Sequence, residues 1–233
     1  MLGVAFVKER FTAMVLRYSI PMLQRGSRKG GPCGAWFSEL AKKKLAVMQS
    51  LDIFALHELR LAVFDNAEEL HKEAKLLFQH KMFSRAYLLA YYCFEELGKI
   101  PIVVGVIGKL IANEHVDWKT VEKRFYSHTS KIESQNTHYY TFGLDLDLLR
   151  DRDLKWLEAA QSTVSKSFDK KNFATYVDVR NGVVVLPSKK IEESDAAGML
   201  DLAFNCLKAH WHSERLTNPI LLKLQNPASE SDG

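Results

Sequence analysis

Residues Arg85–Ile100, RAYLLAYYCFEELGKI, constrain this chain more than any other stretch. From Ala86 to Phe94 no side chain is charged. At about 100° per residue, Ala86, Leu89, Ala90, Cys93 and Leu97 form one apolar stripe. Tyr87, Leu88, Tyr91, Tyr92 and Phe94 cover most of the remaining surface. A helix apolar nearly all round is a buried, central one. Yet its C-terminal end carries Glu95, Glu96 and Lys99. The Glu95–Lys99 and Glu96–Lys99 spacings each let a carboxylate meet the ammonium on one helix face. Charges beside so apolar a helix must be paired or reach a wet cleft, because an unpaired buried charge is strongly unfavourable. Gly98 costs roughly 1 kcal/mol against Ala in a helix interior, which points to the close approach of another backbone. Pro101 kinks or restarts the helix.

The flanking sequence supplies partners for that helix. Leu56, Leu59, Val63, Ala67, Leu70, Ala74, Leu77 and Phe78 recur at three or four, so residues 51–80 read as one long helix or two. Lys81–Ser84 is a short break with Ser84 as candidate N-cap, which makes the two long helices antiparallel neighbours. Pro101–Asn113 reads as helix, followed by Asp117 as a candidate N-cap and a helix over Trp118–Thr129. Lys131–Tyr140 is polar, Phe142–Asp153 is acidic and Leu-rich, and Leu154–Phe168 is again helical. Residues 175–186, TYVDVRNGVVVL, change period: Asn-Gly between β-branched runs predicts a hairpin. Ile191–Arg215 returns to helix. The expected fold is all-α, an antiparallel helix bundle with a small β-hairpin near residues 175–186.

Charge and composition narrow the function classes. Residues 1–47 carry net +7, against −3 for the remainder, so the overall +4 belongs to the first segment. Global charge therefore gives no reason to infer nucleic-acid binding by the domain itself. That segment, ending in the Gly-rich GSRKGGPCG, reads as a flexible tail, as an extension upstream of a start at Met48, or as a targeting peptide. The domain is placed at residues 48–225, with a polar disordered tail at 226–233. The three cysteines, Cys33, Cys93 and Cys206, are widely spaced and odd in number, which favours a reducing, cytoplasmic compartment over a disulfide framework. No CxxC, HExxH, GxxxxGK[ST] or GxGxxG pattern occurs, so no metal or cofactor is expected. No apolar run reaches the roughly 20 residues that span a bilayer, and no membrane partner is expected.

A second polar group follows in RFYSHTSK. On one continuous helix, Arg124, His128 and Lys131 would share a face. Histidine is the usual proton-transfer residue near neutral pH, and cations hold phosphate charge in a transition state. Cleaving RNA without a metal needs such parts: a base for the 2′-hydroxyl, an acid for the leaving oxygen and cations for the phosphorane. The plain alternative is a solvated face with a half-buried histidine, and for Glu95, Glu96 and Lys99 an internal ion pair tying helices together. Tyr87, Tyr91 and Tyr92 read as packing before they read as a stacking platform. His138 follows the cluster and is a candidate to line a cleft. His210 and His212 fall on opposite sides of a helix and make poor joint ligands.

With those residues in view, positions 56–207 resemble the AbiV family of abortive infection proteins. The resemblance rests on NAEELHKEAKLLFQHKMFSRAYLLAYYCFEELGK at Asn66–Lys99, HTSK at His128–Lys131 and YVD at Tyr176–Asp178. EELGK is the most specific part. The AbiV family is similar to the wider HEPN group of helical domains. Its members are often homodimeric, metal-independent endoribonucleases with an R-x(4–6)-H motif near the dimer interface. Here three residues separate Arg124 from His128, a shorter spacing.

The resemblance implies a cytoplasmic, homodimeric phage-defence protein acting on RNA. His128 would be the general acid/base. Lys131, with Lys99 or Arg124, would stabilise phosphate charge, and Glu96 would orient the cations. Glu95, Tyr92 and His138 are the candidate binding residues. The alternative is a non-catalytic helical module that recognises a phage or host protein or a nucleotide.

Overall fold

The computed structural model describes residues 48–49, 51–146 and 154–225. The basic segment 1–47, the tail 226–233 and most of the acidic Leu-rich stretch lie outside the described residues.

Helix α1, Ile53–Gln79, is a single helix. Asp52 caps it, its Oδ1 accepting the Ala55 N–H at 2.8 Å. The chain turns through His80–Met82, with Lys81 at φ +60°, into α2, Phe83–Leu97. The expected cap at Ser84 is not used: Met82 holds that position without a side-chain bond, and Ser84 is buried in the first turn of α2. Helix α2 ends at Gly98, and α3, Lys99–Ile111, restarts at once with Pro101 in its first turn, where a missing N–H is harmless. Asp117 caps α4, Trp118–Tyr126, as its side chain accepts from Thr120 N and Oγ1.

Here the structure departs from the sequence reading. The helix expected over Trp118–Thr129 stops at Tyr126. Ser127 adopts extended backbone (φ −79°, ψ 120°), and its Oγ accepts the Ser130 N–H, starting α5, His128–Gly143. A local cap outweighs one more helical turn. Helices α6, Lys155–Ser162, and α7, Val164–Thr175, replace the single helix expected there. Strands β1, Asp178–Arg180, and β2, Val183–Val185, pair antiparallel with Arg180 opposite Val183. The Asn181-Gly182 turn sits at φ +51° and +77°, the left-handed geometry that a two-residue hairpin loop demands. Helix α8, Glu193–Gln225, closes the described chain.

As its composition dictates, α2 is central. It packs against α1, α8, α7 and α5, burying Ala86, Tyr87, Leu88, Ala90, Tyr91, Cys93, Phe94 and Leu97. A second apolar cluster of Leu56, Val103, Val106, Ile107, Val116 and Phe125 joins α1, α3 and α4. These packings bring the polar end of α2 against the first turns of α5 and the last turns of α7. Among the described residues no helix is long and apolar enough to cross a membrane.

Candidate functional site

Glu95 is the hub. It lies on the last turn of α2 and is 4% exposed. Its Oε1 is 2.6 Å from His128 Nδ1 and 2.5 Å from Lys131 Nζ. His128 is the first residue of α5 and Lys131 is one turn on, so the three-residue spacing puts both on one face. The N-terminus of α5, with its partial positive charge, also favours a carboxylate there. The backbone crossing is close. A Cβ on Gly98 would stand 2.0 Å from the Lys131 carbonyl oxygen, so the glycine is what lets α5 approach the end of α2.

The three groups differ in exposure, and that sets their chemistry. Lys131 is 7% exposed, whereas the His128 side chain is half exposed. Burial pushes the Glu95 carboxyl up, but the adjoining Lys131 ammonium and His128 imidazole outweigh it and hold the group below its ordinary value. Glu95 is thus ionised and accepts the bond from His128 Nδ1–H. That leaves Nε2 on the far side of the ring from a carboxylate that fixes it, an arrangement that can support proton transfer as carboxylate–histidine pairs do in hydrolases.

Two contributors were not legible in the sequence, Lys171 and Phe168 of α7. Lys171 is 7% exposed, and its ammonium lies 4.2 Å from the Phe168 ring centroid, 5.8 Å from Tyr91 and 6.0 Å from Tyr92. Burial lowers its pKa, Glu95 opposes that, and Lys131 adds to it. The Phe168 ring also lies 5.7 Å from the His128 ring. Tyr92, a candidate from the sequence, is partly buried on the same side, its hydroxyl made less acidic by burial and by Glu95. The one available signal was the Phe168–Lys171 spacing on a helix face, but Lys166 and Lys170 in the same helix offered equal claims.

Other candidates are placed elsewhere. Glu96 and Lys99 bond each other at 2.7 Å, with the Lys99 ammonium 5.2 Å from the Phe125 ring centroid. Among the described residues no hydrogen bond or ion pair joins them to Glu95, His128 or Lys131. Glu95 is thus the carboxylate bonded to His128 and Lys131, while Glu96 holds Lys99. Because the chain breaks at Ser127, Arg124 does not continue the His128–Lys131 face: it donates to Ser134 Oγ at 3.2 Å and lies beside Glu133.

His138 is sealed in the interior. Its ring stacks on His210 with centroids 3.7 Å apart, and its Nε2 donates to Ser213 Oγ at 3.2 Å. Burial takes its pKa down to about 3. It belongs to a buried polar seam with Gln135, which accepts from His210 Nε2 at 2.9 Å, and with Arg60, which is ion-paired to Glu214 and donates to His57 Nδ1. No cluster of three or more His, Cys, Asp or Glu side chains able to hold a metal occurs among the described residues.

Helices packed round one apolar core helix, with a minimal hairpin, define an all-α domain of the HEPN-like kind. The family model HEPN_AbiV, AbiV, matches residues 55–208, more than half of the chain. The chain belongs to the AbiV family, and membership implies a part in abortive-infection defence against phage. Comparison with curated proteins and with solved structures gave no significant match.

Proposed function

We propose that this protein halts growth of an infected cell by cutting RNA at the Glu95–His128–Lys131 site, as a cytoplasmic homodimer and without a metal ion. The observation that carries this reading is the half-exposed His128 held by the buried Glu95 carboxylate, with Lys131 on the same oxygen. Neutral His128 takes the 2′-hydroxyl proton at Nε2 while the 2′-oxygen attacks the adjacent phosphorus. The protonated ring then returns a proton to the departing 5′-oxygen. The bond from phosphorus to the 5′-oxygen breaks, leaving a 2′,3′-cyclic phosphate and a 5′-hydroxyl end. Glu95 holds the ring through Nδ1 and stabilises its charged form, and Lys131 adds positive charge behind the phosphate. Arg124 and Lys99 have no role in this version. The test is cleavage of RNA by the full chain in EDTA, with and without His128→Ala. Equal cleavage by the two proteins excludes His128 from the reaction.

The burial of Lys131 and Glu95 favours a second reading, a structural polar pair in a binding module for a phage or host protein or a nucleotide. Under it, Glu95→Gln lowers Tm sharply, and His128→Ala retains toxicity in cells.

A further inference from the structure

We propose that Lys171 is an anion-binding residue of the His128 site, an ammonium kept ready by an aromatic cage and not by a carboxylate. This rests on the reading of that site as one that handles phosphate.

This protein pairs its other buried cations with carboxylates. Arg60 is paired with Glu214 and Lys131 with Glu95. Lys170, the chain neighbour of Lys171, reaches Asp195 at 2.5 Å. Lys171 is as buried as Lys131, yet among the described residues its ammonium has no ion pair and no hydrogen-bonding partner. It is held only by the faces of Phe168, Tyr91 and Tyr92. Cation–π contact offsets part of the desolvation of an ammonium but gives its N–H donors no protein acceptor, which leaves them open to an oxygen from solvent or a ligand. A methionine would fill the same space and keep the aromatic contacts at no electrostatic cost. Packing therefore does not account for a cation here, whereas a ligand supplying oxygens would.

Location says which ligand. The Phe168 ring lies next to both the Lys171 ammonium and the His128 ring, so the cation and the exposed imidazole share one aromatic neighbour. Glu95 is the one acid among the groups that perturb Lys171, and its charge is already matched by Lys131. The remaining positive charge suits a phosphodiester oxygen. An arriving anion would favour the ammonium's charged form, opposing the effect of burial.

The test uses the full chain, with a 2′-O-methyl oligoribonucleotide that cannot be cleaved and inorganic phosphate as probes. Lys171→Met is compared with wild type and with Lys170→Met, which removes the same charge one residue away. The expected result for Lys171→Met is affinity for the oligonucleotide weaker by at least tenfold, with Tm unchanged or raised, and for Lys170→Met a change of less than threefold. In wild type, the Lys171 side-chain NMR signal should titrate at higher pH once inorganic phosphate is present. Unaltered affinity in Lys171→Met, or a Lys171 titration indifferent to phosphate, overturns the assignment while leaving the nuclease reading intact. Wild type that binds neither probe overturns both.

Discussion

Gly98 lies against the Lys131 backbone so closely that a single added methyl group would overlap the carbonyl oxygen, at 2.0 Å. Since Gly98 has φ −64°, alanine is conformationally acceptable there, and any penalty comes from the collision. Gly98→Ala should cost about 1–3 kcal/mol, the usual range for overpacking, and should also displace Lys131 from Glu95. Gly105, on α3, has nothing within 4 Å of its absent Cβ. Gly105→Ala should instead stabilise by about 0.5–1 kcal/mol. Urea unfolding of the two variants checks the contrast, which fails if both shift stability in the same direction.

The adjacent acids Glu95 and Glu96 should respond very differently to the same change. Glu95→Gln strands Lys131 in the interior, and breaking a buried pair costs about 3–5 kcal/mol. Glu96 and Lys99 are each 19% exposed, and a pair that keeps contact with water contributes less than a sealed one. Glu96→Gln should thus lower Tm only slightly and leave RNA cleavage intact. Acid titration supplies an independent check. The Glu95 pKa is depressed on folding, so its contribution is present above the ordinary carboxylate range and is lost as pH falls through the folded value. Glu95→Gln should remove that acid-sensitive component from the stability profile.

His128→Ala should reduce RNA cleavage by about 10²–10⁴-fold, the usual contribution of a positioned acid–base group. Because the side chain is half exposed, Tm should change little. Single-turnover cleavage with a melting curve on the same preparation separates the two effects. A Tm fall matching that of Glu95→Gln would make the histidine a structural element instead.

Folding stability should fall in mild acid because of the buried seam between α1, α5 and α8. His138 and His210 are both held well below their ordinary pKa by burial, with His138 and Arg60 adding to the effect on His210. Between about pH 6.5 and 3, the unfolded chain binds a proton at His138 that the folded chain refuses. The unfolded state then binds more protons, so stability drops as pH falls, by about 1.4 kcal/mol per pH unit for one such group. Urea unfolding at pH 7.5 and 5.5 should show this, and His138→Gln should flatten the slope. An unchanged slope in the variant would place the acid sensitivity elsewhere.

Much of the architecture could be read directly from the residues. Nine successive uncharged positions, Ala86–Phe94, could only be satisfied at the centre of a bundle. Arg-Asn-Gly between valines could only turn one way, and Asp117 was recognisable as a cap from its neighbours. These are local matters of periodicity, side-chain volume and backbone preference, and they survive in any context. The Ser127 break was equally local but easily missed, since the spacing of Arg124 and His128 suited a helix whose continuation competed with a cap.

The site was legible in its ingredients and not in its arrangement. EELGK and HTSK supplied the groups that meet, but Glu95 and Glu96 are neighbours differing by one helical step, and sequence holds no record of which faces α5. Only the crossing at Gly98 decided that. His138 looked available until α8 covered it, and Lys171 was one of three lysines in α7 until Phe168 and the tyrosines of α2 enclosed it. The sequence by itself determined the helices and the chemistry this protein can draw on. The packing of helices far apart in the chain decided which carboxylate became the hub, which histidine stayed in water and which ammonium was left to aromatic rings. The physical reason is that burial and pairing depend on contacts between distant segments, which no local pattern encodes.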